Sequence, residues 1–259
     1  MYDTPLSYLL HLTSLLIEVN YMKKNEELRL DRFLSNQLNI SRNDAKELIK
    51  ERLVSVNGTA AKLYDMKIDP FSDNVVSEGV TVRYRKYIYI MLNKPQGVVC
   101  AVKDNLSPAV TELIPPELRR KGLAPAGRLD KDTEGFVFIT DDGAVAHRII
   151  SPSSHVKKKY YAELEQEADE SYIQQFRDGL VISGDEKCLP AEIEIFPDPR
   201  KVYITVSEGK FHQVKRMAQA VGNKVVYLKR LSIGGLELDP DLPLGGCREL
   251  DENDVSKLF

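Results

Sequence analysis

Cysteine is scarce in this sequence, and its spacing excludes several kinds of site. The three cysteines, Cys100, Cys188 and Cys247, lie far apart in 259 residues and form no metal-ligand spacing. Three thiols cannot all pair in disulfide bonds, which suits a reducing compartment, so we expect a cytoplasmic protein. The chain also lacks internal repeats, a Ser-His-Asp set and a glycine-rich nucleotide loop. A cysteine-ligated metal centre and a nucleotide-binding loop are therefore left without candidate residues.

The sequence has no large excess of charge of one sign. Its formal net charge is -3, with 29% charged and 42% hydrophobic residues. This is the balance of a globular protein that can bury a core, and the length permits one large domain or two of ordinary size. Because the total charge is close to zero, any surface that binds nucleic acid must be a local basic patch.

A long apolar run is also missing. The apolar stretch within residues 1–21 is interrupted by polar side chains, is too short to span a bilayer and lacks the basic start of a signal peptide. At Met22 the composition changes to a charged segment that reads like a second chain start. We interpret residues 1–24 as an extension or a misplaced start, with an added amphipathic helix as the alternative, and expect no membrane partner.

Residues 25–84 are predicted to form a small domain. Leu30, Phe33 and Leu34 recur at helical spacing, and a second helix is predicted from Arg42 to about Arg52. Ser41, with Asp44 three residues later, is typical of the start of that helix. A strand then closes on Asn57-Gly58, a sequence that favours a hairpin turn.

The second predicted helix separates its charges around the axis. At about 100° per residue, Arg42, Lys46 and Lys50 fall on one stripe, apart from the apolar side and from the acidic side. A stripe of three cations suits contact with backbone phosphates of a nucleic acid. An ordinary solvated surface is the alternative interpretation.

Residues 85–259 are predicted to form the second, larger domain. Short strand-like segments outnumber helices and do not alternate with them regularly, which argues against a doubly wound parallel sheet. The pattern predicts an α+β fold with a large, mostly antiparallel mixed sheet and peripheral helices. The strand candidates are Val98–Val102, Phe136–Thr140, Tyr160–Leu164, Ala191–Phe196, Val202–Val206 and Lys224–Ile233, and the helix candidates are Gly143–Ile150, Asp169–Asp178 and His212–Val221.

The segment GRLDKDTEGFVFITDDG, Gly127 to Gly143, has two interpretations. Counted from Asp130, its carboxylates occupy positions 1, 3, 5 and 12 of a twelve-residue loop, the spacing of an EF-hand calcium site. The segment before it contains proline and glycine, which disfavour the entering helix that such a site needs. The apolar run that begins at Phe136 favours a buried strand instead. Asp130 would then lie on a loop in front of a rigid strand, a suitable place for a catalytic carboxylate.

Two further segments combine cations with groups that could hold RNA. Lys157, Lys158 and Lys159 directly precede Tyr160, whose ring could stack on a base while the lysines hold phosphates. The helix predicted in EGKFHQVKRMAQAVG carries Lys215 and Arg216 on the side opposite its apolar residues. Solvated surface cations are the alternative for both segments.

Together these motifs resemble those of two known families. The stretch from Leu28 to Gly79 resembles a small RNA-binding domain shared by a ribosomal protein, some tRNA synthetases and several RNA-modifying enzymes. GRLDKDTEGFVFITDDG, KKYYAEL and EGKFHQVKRMAQAVGNKVVYLKR are similar to the motifs of pseudouridine synthases of the ribosomal small-subunit type. The match runs in the family's order from about Leu28 to the C-terminus.

The resemblance implies an activity and the residues that perform it. Such enzymes detach the base of one uridine, turn it and rejoin it to the same ribose through carbon, without cofactor or metal. By motif, Asp130 is the catalytic carboxylate and Lys215 its basic partner. Arg128, Tyr160 and Arg216 would bind substrate with them, and Tyr160 would stack on the target base. Arg42, Lys46 and Lys50 would contact RNA.

The resemblance also predicts the substrate. The helix entry EGKFHQVKRM is similar to small-subunit enzymes, whereas large-subunit relatives tend to read E-G-R-N-R-Q-V-R-R-M, so His212 stands where those have arginine. We expect a monomer that modifies one unpaired uridine in small-subunit ribosomal RNA or in an assembling small subunit. The same reaction on large-subunit RNA, an RNA-binding assembly factor without catalysis, and a calcium-binding protein are the alternatives.

Overall fold

A computed structural model describes residues 27–259 of the chain. The extension or misplaced start predicted at residues 1–24 lies outside this range. The chain divides into two compact units with the boundary between Lys86 and Tyr87. Within the described range, no helix is both long enough and apolar enough to cross a membrane.

The N-terminal unit folds around its two helices as their sequence predicts. Ser41 and Asp44 cap the second helix reciprocally: each side chain accepts a hydrogen bond from the other residue's backbone amide, at 3.1 Å in both cases. Asn57 and Gly58 both have positive φ, at 51° and 78°, as the tight hairpin turn requires. The elements are β1 (Leu28–Arg29), α1 (Leu30–Gln37), α2 (Arg42–Lys50), β2 (Val54–Val56), β3 (Thr59–Ala60), β4 (Lys67–Ile68), β5 (Val75–Ser77) and β6 (Val80–Thr81).

The C-terminal unit is built on one large sheet. Its helices are short, and three further single turns of 3-10 helix lie in loops. The elements are β7 (Tyr89–Lys94), β8 (Ala124–Pro125), β9 (Glu134–Thr140), α3 (Gly143–Ile150), β10 (Lys158–Leu164), α4 (Ser171–Asp178), β11 (Val181–Ser183), β12 (Glu186–Lys187), β13 (Glu192–Ile195), β14 (Lys201–Val206), α5 (Gln213–Ala220), β15 (Val225–Ile233), β16 (Leu236–Glu237), β17 (Cys247–Glu249) and α6 (Glu252–Ser256).

The large sheet has nine strands and is mixed. Its main path runs β13-β14-β10-β15-β9-β7-β17, with β16 added on β15 and β8 on β9. Every pairing is antiparallel except that of β9 with β15, where Glu134 and Gly135 lie opposite Lys229 and Arg230. The α+β fold class with a large, mostly antiparallel mixed sheet is therefore confirmed. The parallel pair brings the loop before β9 beside the middle of β15.

Helix α5 illustrates why the helices lie on the periphery. Val214, Met217 and Ala218 are buried in the core of the C-terminal unit, whereas the opposite face stays accessible. The helix ends just before a glycine: Gly222 has φ of 78°, and its amide donates to the carbonyl of Gln219. This left-handed turn stops the helix because a residue with a Cβ would be strained there.

The strand predicted at Val98–Val102 is wrong. Only one isolated bridge forms in this segment, between Val99 and Ala109, and the rest is loop. Val98 and Cys100 are nevertheless buried, which produces the alternating pattern of a strand without a strand partner. Both belong to a buried cluster that also contains Leu129 of the loop that carries Asp130.

Candidate active site

The loop from Gly127 to Thr133 is fixed from beneath by a buried lysine. Lys94, at the end of β7, is fully buried, and its Nζ donates to the carbonyls of Pro95 at 3.0 Å, Lys131 at 3.3 Å and Thr133 at 2.6 Å. Burial lowers the pKa of Lys94 from its usual value. The loop amide of Leu129 also donates to Cys100 Sγ at 3.2 Å. The backbone is therefore anchored on both sides of Asp130, by Lys94 at the end of β7 and by Cys100 in the neighbouring loop.

The Asp130 carboxylate lies between two basic side chains of the segment that begins α5. Its Oδ2 is 2.9 Å from Lys215 Nζ and its Oδ1 is 3.3 Å from His212 Nε2, and a quarter of the side chain is exposed. Lys215 also contacts Asp132 Oδ1 at 2.6 Å. Burial opposes the charge on Lys215, but its bonds to Asp132 and Asp130 outweigh burial and raise its pKa. Lys215 is consequently a cation at neutral pH and holds Asp130 in place.

The same loop does not have the structure of a calcium site. Phe136 to Ile139, positions 7 to 10 of the supposed loop, are fully buried in β9, as the strand prediction requires. Glu134, at position 5, accepts a hydrogen bond from the hydroxyl of Tyr227 at 2.6 Å. Within residues 27–259, no group of three or more His, Cys, Asp or Glu side chains is arranged to hold a metal ion.

One pocket collects most of the residues predicted for the site. Arg128, Asp130, Tyr160 and Lys215 all line it, together with apolar side chains from four elements. Arg216 does not line it: its guanidinium donates to Glu186 Oε2 at 2.6 Å and to the carbonyl of Phe211 at 3.1 Å. The apolar lining includes Ile149, Val206, Val214 and Leu228.

Two cations of the pocket are buried, one of them from the lysine run before Tyr160. Lys158 is 7% exposed and Arg230 is 4% exposed, and both line the pocket. Lys158 Nζ donates to the carbonyl of Ile149 at 3.0 Å, and Arg230 Nε donates to that of Phe136 at 2.7 Å. The interpretation of the lysine run as a solvated strand end is therefore wrong for Lys158. Lys158 and Tyr160 are two residues apart in β10 and therefore lie on the same face of the strand. This spacing was the signal in the sequence that could have indicated the burial of Lys158.

The burial of Lys158 should make the stability of the protein depend on pH. Burial, and then the nearby charge of Arg230, lower the pKa of Lys158 from 10.5 to about 8. Below pH 8 the folded protein carries a disfavoured cation; between pH 8 and 10.5 it has lost this proton while the unfolded chain retains it. Stability therefore rises with pH in this window, by up to about 3 kcal/mol.

We expect the Lys158→Met variant to lack this rise. Urea unfolding of both proteins from pH 7 to 10.5 measures the difference, which isolates Lys158 from other titrating groups. Lys157→Met is the matched control, because Lys157 is exposed and pairs with Glu192 at 2.8 Å. An identical pH dependence in the wild-type and Lys158→Met proteins would contradict the burial of this charge.

Comparison with known proteins assigns the family. Residues 88–220 match the family model of RNA pseudouridylate synthase, and residues 28–75 match that of the S4 domain. A Bacillus subtilis protein named "Uncharacterized RNA pseudouridine synthase YtzG" is 44% identical over 234 residues, which are 89% of this chain and 98% of that protein.

This chain belongs to the RNA pseudouridylate synthase family.

Two further relatives match this pseudouridine synthase over almost their whole length, and one of them shows the same fold. The "Ribosomal small subunit pseudouridine synthase A" of Escherichia coli K12 is 39% identical over 232 residues, which are 89% of this chain and all of that protein. A crystal structure of a pseudouridylate synthase is 38% identical, with a TM-score of 0.63 over 90% of this chain and all of the other. The chain therefore carries an S4 domain followed by a pseudouridine synthase fold.

The basic stripe of the S4 domain lies on the accessible side of α2. Arg42 and Lys50 are exposed, and Lys50 makes a surface ion pair with Glu47 at 3.3 Å. Lys46 is half-buried because its Nζ lies over the ring of Tyr64, 4.9 Å from the ring centroid. Sequence reasoning did not single out Tyr64, which lies in a turn and belongs to no periodic segment.

Replacing Arg42, Lys46 and Lys50 by alanine should weaken RNA binding and make it less sensitive to salt. Each lost phosphate contact removes about 0.7 to 0.9 from the log–log slope of affinity against salt concentration. Filter binding at several salt concentrations measures this slope. The control is a triple alanine variant of Lys201, Lys224 and Lys257, which are ion-paired lysines of the other unit and give the same change in net charge. Equal slopes in the two variants would identify the stripe as a solvated face.

Proposed function

We propose that this pseudouridine synthase converts one uridine of small-subunit ribosomal RNA to pseudouridine, with Asp130 as the catalytic carboxylate and without cofactor or metal. The observation that carries the proposal is the position of Asp130, held 2.9 Å from Lys215 in a pocket that Tyr160 also lines. A carboxylate removed from water remains ionised if a cation is bound to it. An ionised carboxylate can attack C1′ of the ribose or take the proton from C2′.

The other pocket residues provide what the reaction needs besides the carboxylate. The uridine must leave its stack before Asp130 can reach the ribose, and the ring of Tyr160 offers a stacking surface for the extruded base. Arg128 is exposed at the pocket rim, where it can hold the phosphate next to the target. Because Lys94 fixes the loop, Asp130 keeps its position while the detached base turns.

The preference for small-subunit RNA has two supports. Relatives from Escherichia coli, Yersinia pestis and Haemophilus influenzae, all 38–39% identical, are named ribosomal small subunit pseudouridine synthase A. The second support is His212, which stacks on Phe211 with ring centroids 3.8 Å apart and lies beside Asp130. A histidine at this rim makes the pocket less cationic than a fixed arginine would.

The domain limits, location and assembly of the protein form part of the same proposal. Residues 25–84 bind RNA, and residues 85–259 perform the chemistry. The protein acts as a monomer. The protein acts in the cytoplasm, on free small-subunit RNA or on the assembling subunit.

The experiment offers purified protein both ribosomal RNAs, each free and in partly assembled subunits, and maps pseudouridine by sequencing. We expect one new pseudouridine, located in small-subunit RNA at an unpaired position. Modification confined to large-subunit RNA would overturn the substrate and leave the chemistry standing. RNA binding without any modification would favour an assembly factor instead.

A further inference from the structure

The floor of the pocket contains two positive charges with no negative partner. Within residues 27–259, neither Lys158 nor Arg230 forms an ion pair with a carboxylate, and each donates a single hydrogen bond, to a backbone carbonyl. The Nη2 atom of Arg230 is buried and has no hydrogen-bond partner. Burying an unpaired cation is unfavourable, and burying two near each other more so. Such an arrangement is explained if an anion occupies the pocket during function.

A local irregularity of the sheet places Arg230 at this position. Strands β10 and β15 pair in regular antiparallel register at Lys158 and Lys159, opposite Ile233 and Ser232. The register then shifts, so that Tyr160 lies opposite Arg230 instead of Leu231. Residues directly opposite in an antiparallel pair share a face of the sheet, and bulges often redirect side chains beside active sites. The shift therefore sets the guanidinium beside the ring proposed to stack on the base.

We propose that Lys158 and Arg230 form a subsite that binds the carbonyl oxygens of the uracil anion released when the glycosidic bond breaks. This inference rests on the proposed function. If a carboxylate oxygen of Asp130 forms a bond to C1′, the C1′–N1 bond breaks and its electron pair passes to the base. If Asp130 instead takes the C2′ proton, that C–H pair forms the C1′–C2′ double bond and the C1′–N1 pair again leaves on the base. In both routes the base departs as a monoanion with charge spread over its two oxygens.

The surroundings favour the base over a backbone phosphate as the occupant. Lys158 and Arg230 line the pocket together with Ile149, Val206 and Leu228, apolar side chains that suit a planar base better than a hydrated phosphate. Burial lowers the pKa of Lys158 only to about 8, so it still carries its charge at pH 7. Cations fixed where negative charge develops stabilise the transition state without reorganising.

The test compares departure of two bases from otherwise identical target RNAs. One RNA carries uridine at the target and the other 5-fluorouridine, whose fluorine stabilises the departing anion and lessens its need for cations. Loss of the target nucleoside under single-turnover conditions is followed by mass spectrometry of digested RNA. We expect Arg230→Gln and Lys158→Gln each to slow the loss of uridine about 100-fold and to slow that of 5-fluorouridine much less, with unchanged RNA affinity.

Two further variants separate this role from a structural one. Arg230→Lys retains a cation and should recover part of the rate. If Arg230→Gln does not fold, Lys158→Gln alone carries the test, because glutamine retains a hydrogen-bond donor for the Ile149 carbonyl. Lys229→Gln, on the adjacent residue of β15 and outside the pocket lining, should match the wild-type rates.

Several results would overturn the subsite. Equal slowing on both RNAs, or no slowing, contradicts a role for the two cations in base departure. Weaker RNA binding with a lower salt slope would assign them to a backbone phosphate. If the wild-type protein forms no pseudouridine at all, the proposed function itself fails; if it does and the variants lose both bases equally, only the subsite fails.

Discussion

Replacing Asp130 by asparagine should lower the single-turnover rate of pseudouridine formation by about three orders of magnitude or more, while RNA binding stays near normal. The substitution keeps the shape of the side chain and removes the negative charge that must attack or deprotonate the ribose. The affinity for RNA should persist because phosphate contacts elsewhere supply most of it. Chelating agents should leave the wild-type rate unchanged, since no step is assigned to a metal.

Asp132→Asn is the matched control for this experiment. Both aspartates contact Lys215, at 2.9 and 2.6 Å, but Asp132 is largely exposed and does not line the pocket. The control removes one negative charge that contacts the same lysine. It therefore reproduces the electrostatic change at Lys215 without removing the proposed catalytic group. We expect a rate close to wild type. A near-normal rate for Asp130→Asn, or equal losses in the two variants, would contradict the assignment of Asp130.

Gly135→Ala should destabilise the protein by about 4 kcal/mol or prevent it from folding. Gly135 has φ of 101°, which L side chains rarely adopt, and a Cβ there would lie 2.2 Å from the carbonyl oxygen of Arg230. The contact atoms are backbone of β15, so no side chain can move aside. The substitution would therefore force β9 away from β15 at the only parallel pair described in the large sheet.

Gly143→Ala provides the comparison. Gly143 begins α3, has no positive φ, and a Cβ there would meet nothing within 4 Å. Alanine favours helix over glycine, so we expect this variant to be as stable as wild type or more so. Urea unfolding of the three proteins measures the effect. Similar midpoints for Gly135→Ala and wild type would show that the two strands do not approach as closely as described.

The sequence was most informative where the physical cause is local. The period of apolar residues in α5 depends only on neighbours along the chain, and the structure buries Val214, Met217 and Ala218 on the side opposite Lys215 and Arg216. The Asn57-Gly58 turn and the Ser41 cap are likewise set within a few residues. These features follow from local backbone geometry and local hydrogen bonds, and they need no contact with residues far along the chain.

The candidate site was predictable only in part because it depends on pairing between distant strands. The sequence pattern identified the Asp130 loop and the β9 strand, but not the parallel pairing that sets Gly135 against Arg230. Nor could it reveal the register shift that directs Arg230 to Tyr160. It did not show the burial of Lys94 and Lys158, because the carbonyls that accept their hydrogen bonds, those of Thr133 and Ile149, belong to a loop and a helix elsewhere in the fold.

The most direct test of the account is a map of pseudouridine in the ribosomal RNA of cells that lack this gene and are supplied with either the wild-type or the Asp130→Asn protein. We predict that one pseudouridine of small-subunit RNA disappears with the gene, returns with the wild-type protein and stays absent with Asp130→Asn. An unchanged map in the deletion strain, or full restoration by Asp130→Asn, would contradict the proposal that this chain modifies small-subunit RNA through Asp130.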